Sequence, residues 1–286
     1  MEERNERGET LEEFLARYDE TQYRRPSNTV DMILLTVLKG KLKVLLVKRK
    51  DHPFIHDWAM PGGFVNFDED LDAAMKRELE EETNLFDSTY FRQLYTFGNA
   101  DRDPRTRVIT TVYLSMTPAE NIKMTSAGDD AMDTGWFTIQ KITTTTDGYE
   151  RKSVLMLDEE EKGIHLRYEI YDTACDNYVQ TRSKLLESSN AKLAADHIKA
   201  INMAIDVVRN RAASTGIMFN LLPKECTLRE IQEVYEAIVN HPVDTGNFRR
   251  DIKKMLVATG NTTIVNGRKV ATYSFNPLLP FVKETL

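Results

Sequence analysis

Residues Met60 to Leu85 read MPGGFVNFDEDLDAAMKRELEEETNL, and Glu78, Glu80, Glu81 and Glu82 crowd four carboxylates into five positions of it. At about 100° per residue, Leu71, Ala74, Met75 and Leu79 share one helical stripe that continues through positions 78 and 82. The stripe that should face a core therefore ends in carboxylates, with Glu81 beside them and only Glu80 turned well away. Like charges one turn apart repel weakly in water and far more strongly once water is withdrawn. A cation is expected among them. Mg²⁺, or Mn²⁺, suits such a set, because a hard divalent ion takes oxygen ligands and keeps several waters for an incoming phosphate.

Pro61, Gly62 and Gly63 precede this helix and form a turn where backbone can approach a ligand closely. Gly63, Glu69, Arg77, Glu78, Leu79, Glu81, Glu82 and Leu85 stand at the spacing G-x5-E-x7-R-E-U-x-E-E-x-G-U, where U is a bulky aliphatic residue. The stretch resembles the signature of the Nudix hydrolases. Its last glycine is replaced by Asn84, the next most tolerant residue for a left-handed helix end. The resemblance implies an α/β/α sandwich. It also implies metal ligation by Glu78, Glu81 and Glu82 with the Gly62 carbonyl nearby, Arg77 orienting a carboxylate and Glu69 supporting the helix start.

The chain has 286 residues, enough for about two domains, and its 41% hydrophobic content can fill globular cores. No apolar run approaches the roughly 18 residues that cross a bilayer, and the acidic MEERNERGETLEEF is no signal peptide. A cytoplasmic protein with no membrane association is expected. Cys175 and Cys226 suggest neither a disulfide framework nor a zinc site, and the five scattered histidines read as structural or surface residues. The net charge of −7 argues against indiscriminate nucleic-acid binding, but its distribution is uneven. From Ala200 onward 11 Lys and Arg face 8 Asp and Glu, a net of +3, which leaves −10 before that point. An acidic front half joined to a mildly basic back half hints that the back half meets a polyanion.

The front half reads as strands around Val30 to Leu38, Lys43 to Val47, Trp58 to Met60, Arg92 to Phe97, Val108 to Met116 and Gly135 to Thr138. Between two of them, DRDPRTR (Asp101 to Arg107) is either a charged turn nucleated by Pro104 or a ligand loop. In the second case the forked donors of Arg102 and Arg105 reach a diphosphate. The string YTFGNADRDPRTRVITTVYL resembles the equivalent segment of ADP-ribose-recognising Nudix proteins. The loop Gly128-Asp129-Asp130 offers two further carboxylates, which are either part of a solvated turn or, as the resemblance to Nudix hydrolases allows, catalytic or metal-binding. Residues 141–190 hold a threonine run and two strand-like stretches hinged at EEEKG, and read as an appended hairpin without assignable chemistry.

Past position 190, a helix is expected from about Leu193 to Arg211, its apolar stripe formed by Ala194, Ile198, Ile201, Ile205 and Val208, connecting two domains. Thr227 and Glu230 form a capping box for a helix running to about Asn240. After a short turn, Asp244 or Thr245 caps a second helix, which Gly260 is expected to close. Phe248, Ile252, Met255 and Leu256 make its apolar face; Asn247, Arg249, Arg250 and Lys253 lie off that face. TTIVNGRKVATYSF is a hairpin whose Asn266-Gly267 requires a type I′ turn, with Arg268 and Lys269 at its tip. Helix, turn, basic helix and basic-tipped hairpin is the order of a winged helix-turn-helix, which places a helix in a DNA groove and a wing on phosphates.

A Nudix domain followed by FNLLPKECTLREIQEVYEAI and DTGNFRRDIKKM resembles the NrtR-like Nudix-related regulators, first described as controllers of NAD metabolism. The chain is thus expected to comprise a Nudix domain (residues 1–190) and a linker helix with winged helix (residues 191–286). The resemblance implies an ADP-ribose-type nucleoside diphosphate ligand, double-stranded operator DNA as partner and a homodimer. Because every signature glutamate is present, hydrolysis of the ligand is compatible with this expectation. The alternative is a Mg²⁺-dependent ADP-ribose or nucleotide-sugar pyrophosphatase without a DNA role.

Overall fold

The structure is a computed structural model that describes residues 3–83, 90–124, 131–176 and 178–276. Among these, ten strands form one mixed sheet. In chain order they are β1 (Ser27–Leu38), β2 (Lys41–Arg49), β3 (Trp58–Ala59), β4 (Gly62–Phe64), β5 (Tyr90–Phe97), β6 (Val108–Met116), β7 (Ala131–Asp147), β8 (Glu150–Glu159), β9 (Ile164–Cys175) and β10 (Tyr178–Leu185). The strand order is β10-β9-β8-β7-β2-β1-β6-β5, with β3 paired to β2 and β4 to β1. The β1–β6 pair is parallel and the other pairs are antiparallel.

Strand periodicity builds the layers. Along β1, Val30, Met32 and Leu34 face one way and pack with Ala74, Met75 and Leu79 of a helix at Leu71–Thr83. Ile33 and Leu35, pointing the other way, join Ile198, Ile201, Ile205 and Val208 of a helix at His197–Ala212 in a second cluster. A sheet with one helical layer on each face is the α/β/α sandwich that the Nudix resemblance implied. A short helix α1 (Leu11–Arg17), capped by Thr10, precedes the sheet; the two layer helices are α2 and α3.

Three expectations about the sandwich need correction. The helix expected from Leu193 begins at His197, because Leu193 and Ala194 bridge to Trp58: the Trp58 N–H donates to Lys192 O at 3.0 Å and the Ala194 N–H to Trp58 O at 2.8 Å. The helix is therefore the second layer of the sandwich as well as a connection. The stretch 141–190 does contain the β8–β9 hairpin, but as part of the main sheet: β7 runs for 17 residues through the threonine run, and β10 adds an edge strand. Leu71, placed in the core stripe by periodicity, is 36% exposed, since it opens α2 at the rim.

Charge fastens α3 to this extended sheet. Lys141 Nζ lies 2.7 Å from Asp206, and Arg151 holds both Asp172 and Asp206 at 2.7 Å. Lys141 and Asp172 are buried, so neither charge would be tolerated without the other. Burial alone would raise the Asp172 pKa; hydrogen bonds from Arg151 and Thr181 and the nearby Lys141 outweigh it and hold the carboxyl below its usual range.

The remaining elements are α4 (Leu228–Val239), α5 (Thr245–Ile252), β11 (Leu256–Val265) and β12 (Arg268–Phe275). Their core of Ile231, Val234, Ile238, Phe248, Ile252 and Met255 belongs to the same hydrophobic cluster as α3 and the inner sheet face. Gly260 does not close a helix. It lies inside β11 with φ +82°, at a bulge between Ala258 and Thr262, and the helical stretch ends at Met255 in a single 3₁₀ turn.

Candidate functional site

Arg77 organises the acidic helix. Its Nε and one terminal nitrogen each donate to Glu69 at 2.9 Å; the other terminal nitrogen donates to Glu78 at 2.7 Å and Glu81 at 3.1 Å, and a fifth bond reaches Phe64 O at 3.1 Å. Three of the signature carboxylates thus converge on one guanidinium. Burial pushes the Glu78 carboxyl up, against the pull of Arg77, whereas the hydrogen bond from Arg77 keeps Glu69 below its ordinary value. Gly63 faces this cluster: a Cβ on it would collide with the Glu78 carboxylate. Gly62, at φ +153°, pairs with Asp31, and a Cβ there would strike Val30 O. Glu81 is exposed and Glu82 half-buried. Among the described residues no three acidic or histidine side chains already close around a metal, since Arg77 occupies the centre. The donor set nevertheless fits a hard divalent ion: all oxygens, with one carboxylate buried and raised in pKa. Asn84 and Leu85, the last signature positions, and Asp129 and Asp130 of the acidic loop lie outside the described residues.

The arginine loop forms the neighbouring wall. Arg105 makes a two-bond pair with Asp103, at 3.1 and 2.8 Å, and its guanidinium sits 5.6 Å from the centre of the Phe64 ring. Arg102 behaves differently from a free ligand arm. Its side chain is 7% exposed, its fork is filled by Asp196 at 2.8 and 3.2 Å, and Asp31 stands 3.9 Å away. The next residue, His197, is buried and accepts the Met60 N–H on Nδ1 at 2.9 Å, so its proton resides on Nε2. Burial lowers the His197 pKa, which keeps the ring neutral near pH 7. Sequence reasoning placed Arg102 and Arg105 in this region but gave no signal for Asp31, Asp196 or the contact of His197, because those partners are distant in the chain.

The second candidate surface is on α5. The Asp244 side chain accepts from Asn247 N at 2.8 Å to cap it, and Phe248 stacks at a tilt on Tyr235 of α4, ring centres 5.2 Å apart. Gln232 and Glu236 of α4 fix the intervening turn through Val243 and Thr245. With Phe248, Ile252 and Met255 turned inward, Asn247, Arg249, Arg250 and Lys253 are all exposed. In the β11–β12 hairpin Asn266 and Gly267 have φ +50° and +76°, as a type I′ turn requires, and Arg268 and Lys269 next to them are exposed. The α3–α4 junction is tied by Arg209, whose donors reach Ile238 O of α4 at 2.9 Å and Lys141 O of β7 at 3.2 Å.

A family model for the NUDIX domain matches residues 26–157, and one for the NrtR DNA-binding winged helix domain matches residues 218–275. The ADPR responsive transcriptional repressor NtrR of Acinetobacter baylyi is 28% identical over 266 residues, 92% of this chain and 87% of its own length. The ADP-ribose pyrophosphatase of Methanocaldococcus jannaschii is 34% identical over 129 residues, 45% of this chain and 72% of that protein. The crystal structure of Shewanella oneidensis NrtR complexed with a 27mer DNA superposes with a TM-score of 0.58 at 26% identity, covering 87% of this chain and 93% of that one.

Proposed function

This chain belongs to the Nudix family and carries an NrtR-type winged helix domain, and from that premise we propose that it is an ADP-ribose-responsive transcription regulator. The observation that carries the reading is the run of exposed basic residues, Arg249 and Arg250 on α5 and Lys253 in the turn that follows it, together with the basic tip of the β11–β12 hairpin, in a chain whose other half keeps the whole acidic signature. A helix of that kind enters the major groove and a wing of that kind reaches flanking phosphates. The relative with which the chain shares most of its length is named for a response to ADPR, which supports ADP-ribose as the ligand here. Two copies binding as a homodimer would address half-sites about one DNA turn apart. Acting on DNA, the regulator would work in the cytoplasm.

A second reading is supported by the retained glutamates: the Nudix site also hydrolyses its ligand. Glu78, Glu81 and Glu82 would hold Mg²⁺ or Mn²⁺, with the Gly62 carbonyl nearby. A bound divalent ion supplies charge neutralisation for a diphosphate and a lowered pKa for an attacking water. The chain's own residues do the positioning. Arg77 holds Glu69, Glu78 and Glu81 in register, and the glycine turn lets backbone approach the diphosphate where a side chain would block it. Arg105, pinned over Phe64, places a cation at the rim.

A gel shift on DNA upstream of the gene and its neighbours, with and without ADP-ribose, tests the regulator reading. A retarded band that disappears with ADP-ribose is expected. No retardation on any such fragment, together with Mg²⁺-dependent cleavage of ADP-ribose, would move the assignment to a pyrophosphatase without a DNA role.

A further inference from the structure

The start of α3 carries two irregularities side by side. Ala195 has φ +42°, a left-handed conformation that a Cβ disfavours. Asp196 occupies the N-cap of α3 without capping it: its backbone stands at φ −101°, ψ 15°, and its side chain makes no cap hydrogen bond. The helices of this chain that are capped by a side chain look different. Thr10, Thr227 and Asp244 hold ψ at 168°, 158° and 122°, and each accepts a first-turn amide. Asp, among the best of N-cap residues, is here kept from that role by Arg102, which takes both of its oxygens.

We propose that residues Ala195 and Asp196 form a ligand-released latch, in which Asp196 and the diphosphate of the ligand compete for Arg102. Arg102 lies beside the glycine turn: Asp31 stands between it and Gly62. A diphosphate bound against that turn meets the Arg102 guanidinium, whose planar fork suits phosphate oxygens as well as a carboxylate. Once Arg102 changes partner, the Asp196 carboxylate needs another donor, and the first turn of its own helix offers one. Reaching it requires ψ of Asp196 to rotate into the extended region, and that rotation lets Ala195 leave its positive φ. His197, hydrogen-bonded to Met60, keeps the helix start next to the turn while this happens. At the far end Arg209 holds α4, so a shift of α3 reaches the DNA-binding helices without passing through a flexible linker. A ligand acts through such a device only by binding one arrangement better than the other, and Arg102 supplies the difference.

This inference rests on the regulator reading, and two readouts separate their fates. The full chain, Asp196→Asn and Ala195→Gly are titrated with ADP-ribose by calorimetry, and with operator DNA by fluorescence anisotropy at zero and saturating ADP-ribose. Asp196→Asn removes the competing charge but keeps a capping side chain. It is expected to bind ADP-ribose about tenfold more tightly than the parent and to show DNA affinity that no longer changes with ligand. Ala195→Gly relieves the latched backbone and is expected to bind ADP-ribose several-fold more weakly. A purely structural role for Asp196 would lower stability without tightening ligand binding. If both variants bind ADP-ribose as the parent does, the latch is overturned while the regulator reading stands. If they shift as described but no form releases DNA, the regulator reading is overturned and the latch remains a feature of the ligand site.

Discussion

Gly63 and Glu78 lie so close that a methyl group on the first would occupy the space of the second's carboxylate. Gly63→Ala must therefore displace Glu78 from Arg77 and from the turn. The variant is expected to fold, because α2 keeps Ala74, Met75 and Leu79 buried, but to lose at least tenfold in Mn²⁺ affinity by calorimetry. Unchanged metal affinity would dissociate Glu78 from metal binding.

Glu82 is half-buried on the same helix, one turn beyond Glu78. Glu82→Gln preserves shape and removes charge, so any Mg²⁺-dependent ADP-ribose hydrolysis should drop by about 10²- to 10³-fold with the melting temperature nearly unchanged. Turnover at the parental rate would remove this residue from the mechanism.

On α5 and the wing, base contacts and phosphate contacts leave different traces. Arg249→Ala is expected to cost about 1 to 3 kcal/mol on operator DNA and to relax preference at one base pair. Lys269→Ala should weaken all sequences alike and reduce the slope of log K against log salt by about one. Anisotropy titrations over a salt series distinguish the two, and parental affinity in an Arg249→Ala, Arg250→Ala double variant would refute α5 as the DNA-reading helix.

The Lys141, Arg151, Asp172 and Asp206 cluster carries a pH signature. Since the folded Asp172 pKa lies below the unfolded value, its contribution is present above about pH 4 and is lost as pH falls through the folded value. Asp172→Asn leaves the buried Lys141 with Asp206 alone and should cost about 3 kcal/mol at pH 7 by urea denaturation. The gap between variant and parent should narrow on acidification; a gap independent of pH would contradict the assigned ionisation.

Much of this was legible in the sequence where the governing contacts are local or periodic. Thr227 and Glu230 form the expected capping box, Val108 to Met116 is a strand over that same span, and Asn266-Gly267 makes the expected turn. Elements set by distant partners were not. β10 alternates polar residues on an edge, so Tyr178 to Leu185 carries little hydrophobic signal. Leu256 extends the helical spacing of Phe248, Ile252 and Met255, yet pairing with Phe275 draws it into a strand. Arg102 could be picked out as a chemically suitable fork, but its partner is 94 residues away in the chain and only the folded sandwich brings Asp196 to it.

The hydrophobic cluster that runs without a break from Ile33 and Val44 through α3 to Phe248 and Ile252 makes the boundary between the Nudix and winged helix parts one of family and not of folding. Severing the chain after Ala212 would divide that cluster, with Ile205 and Val208 on one fragment and Ile231 and Ile238 on the other. Such halves would stick to themselves or to each other, so the winged helix cannot be borrowed as a freestanding module, and motion between the parts must be a sliding of packed surfaces. Heat should then take the chain apart in a single step, with the Nudix and winged helix parts lost together.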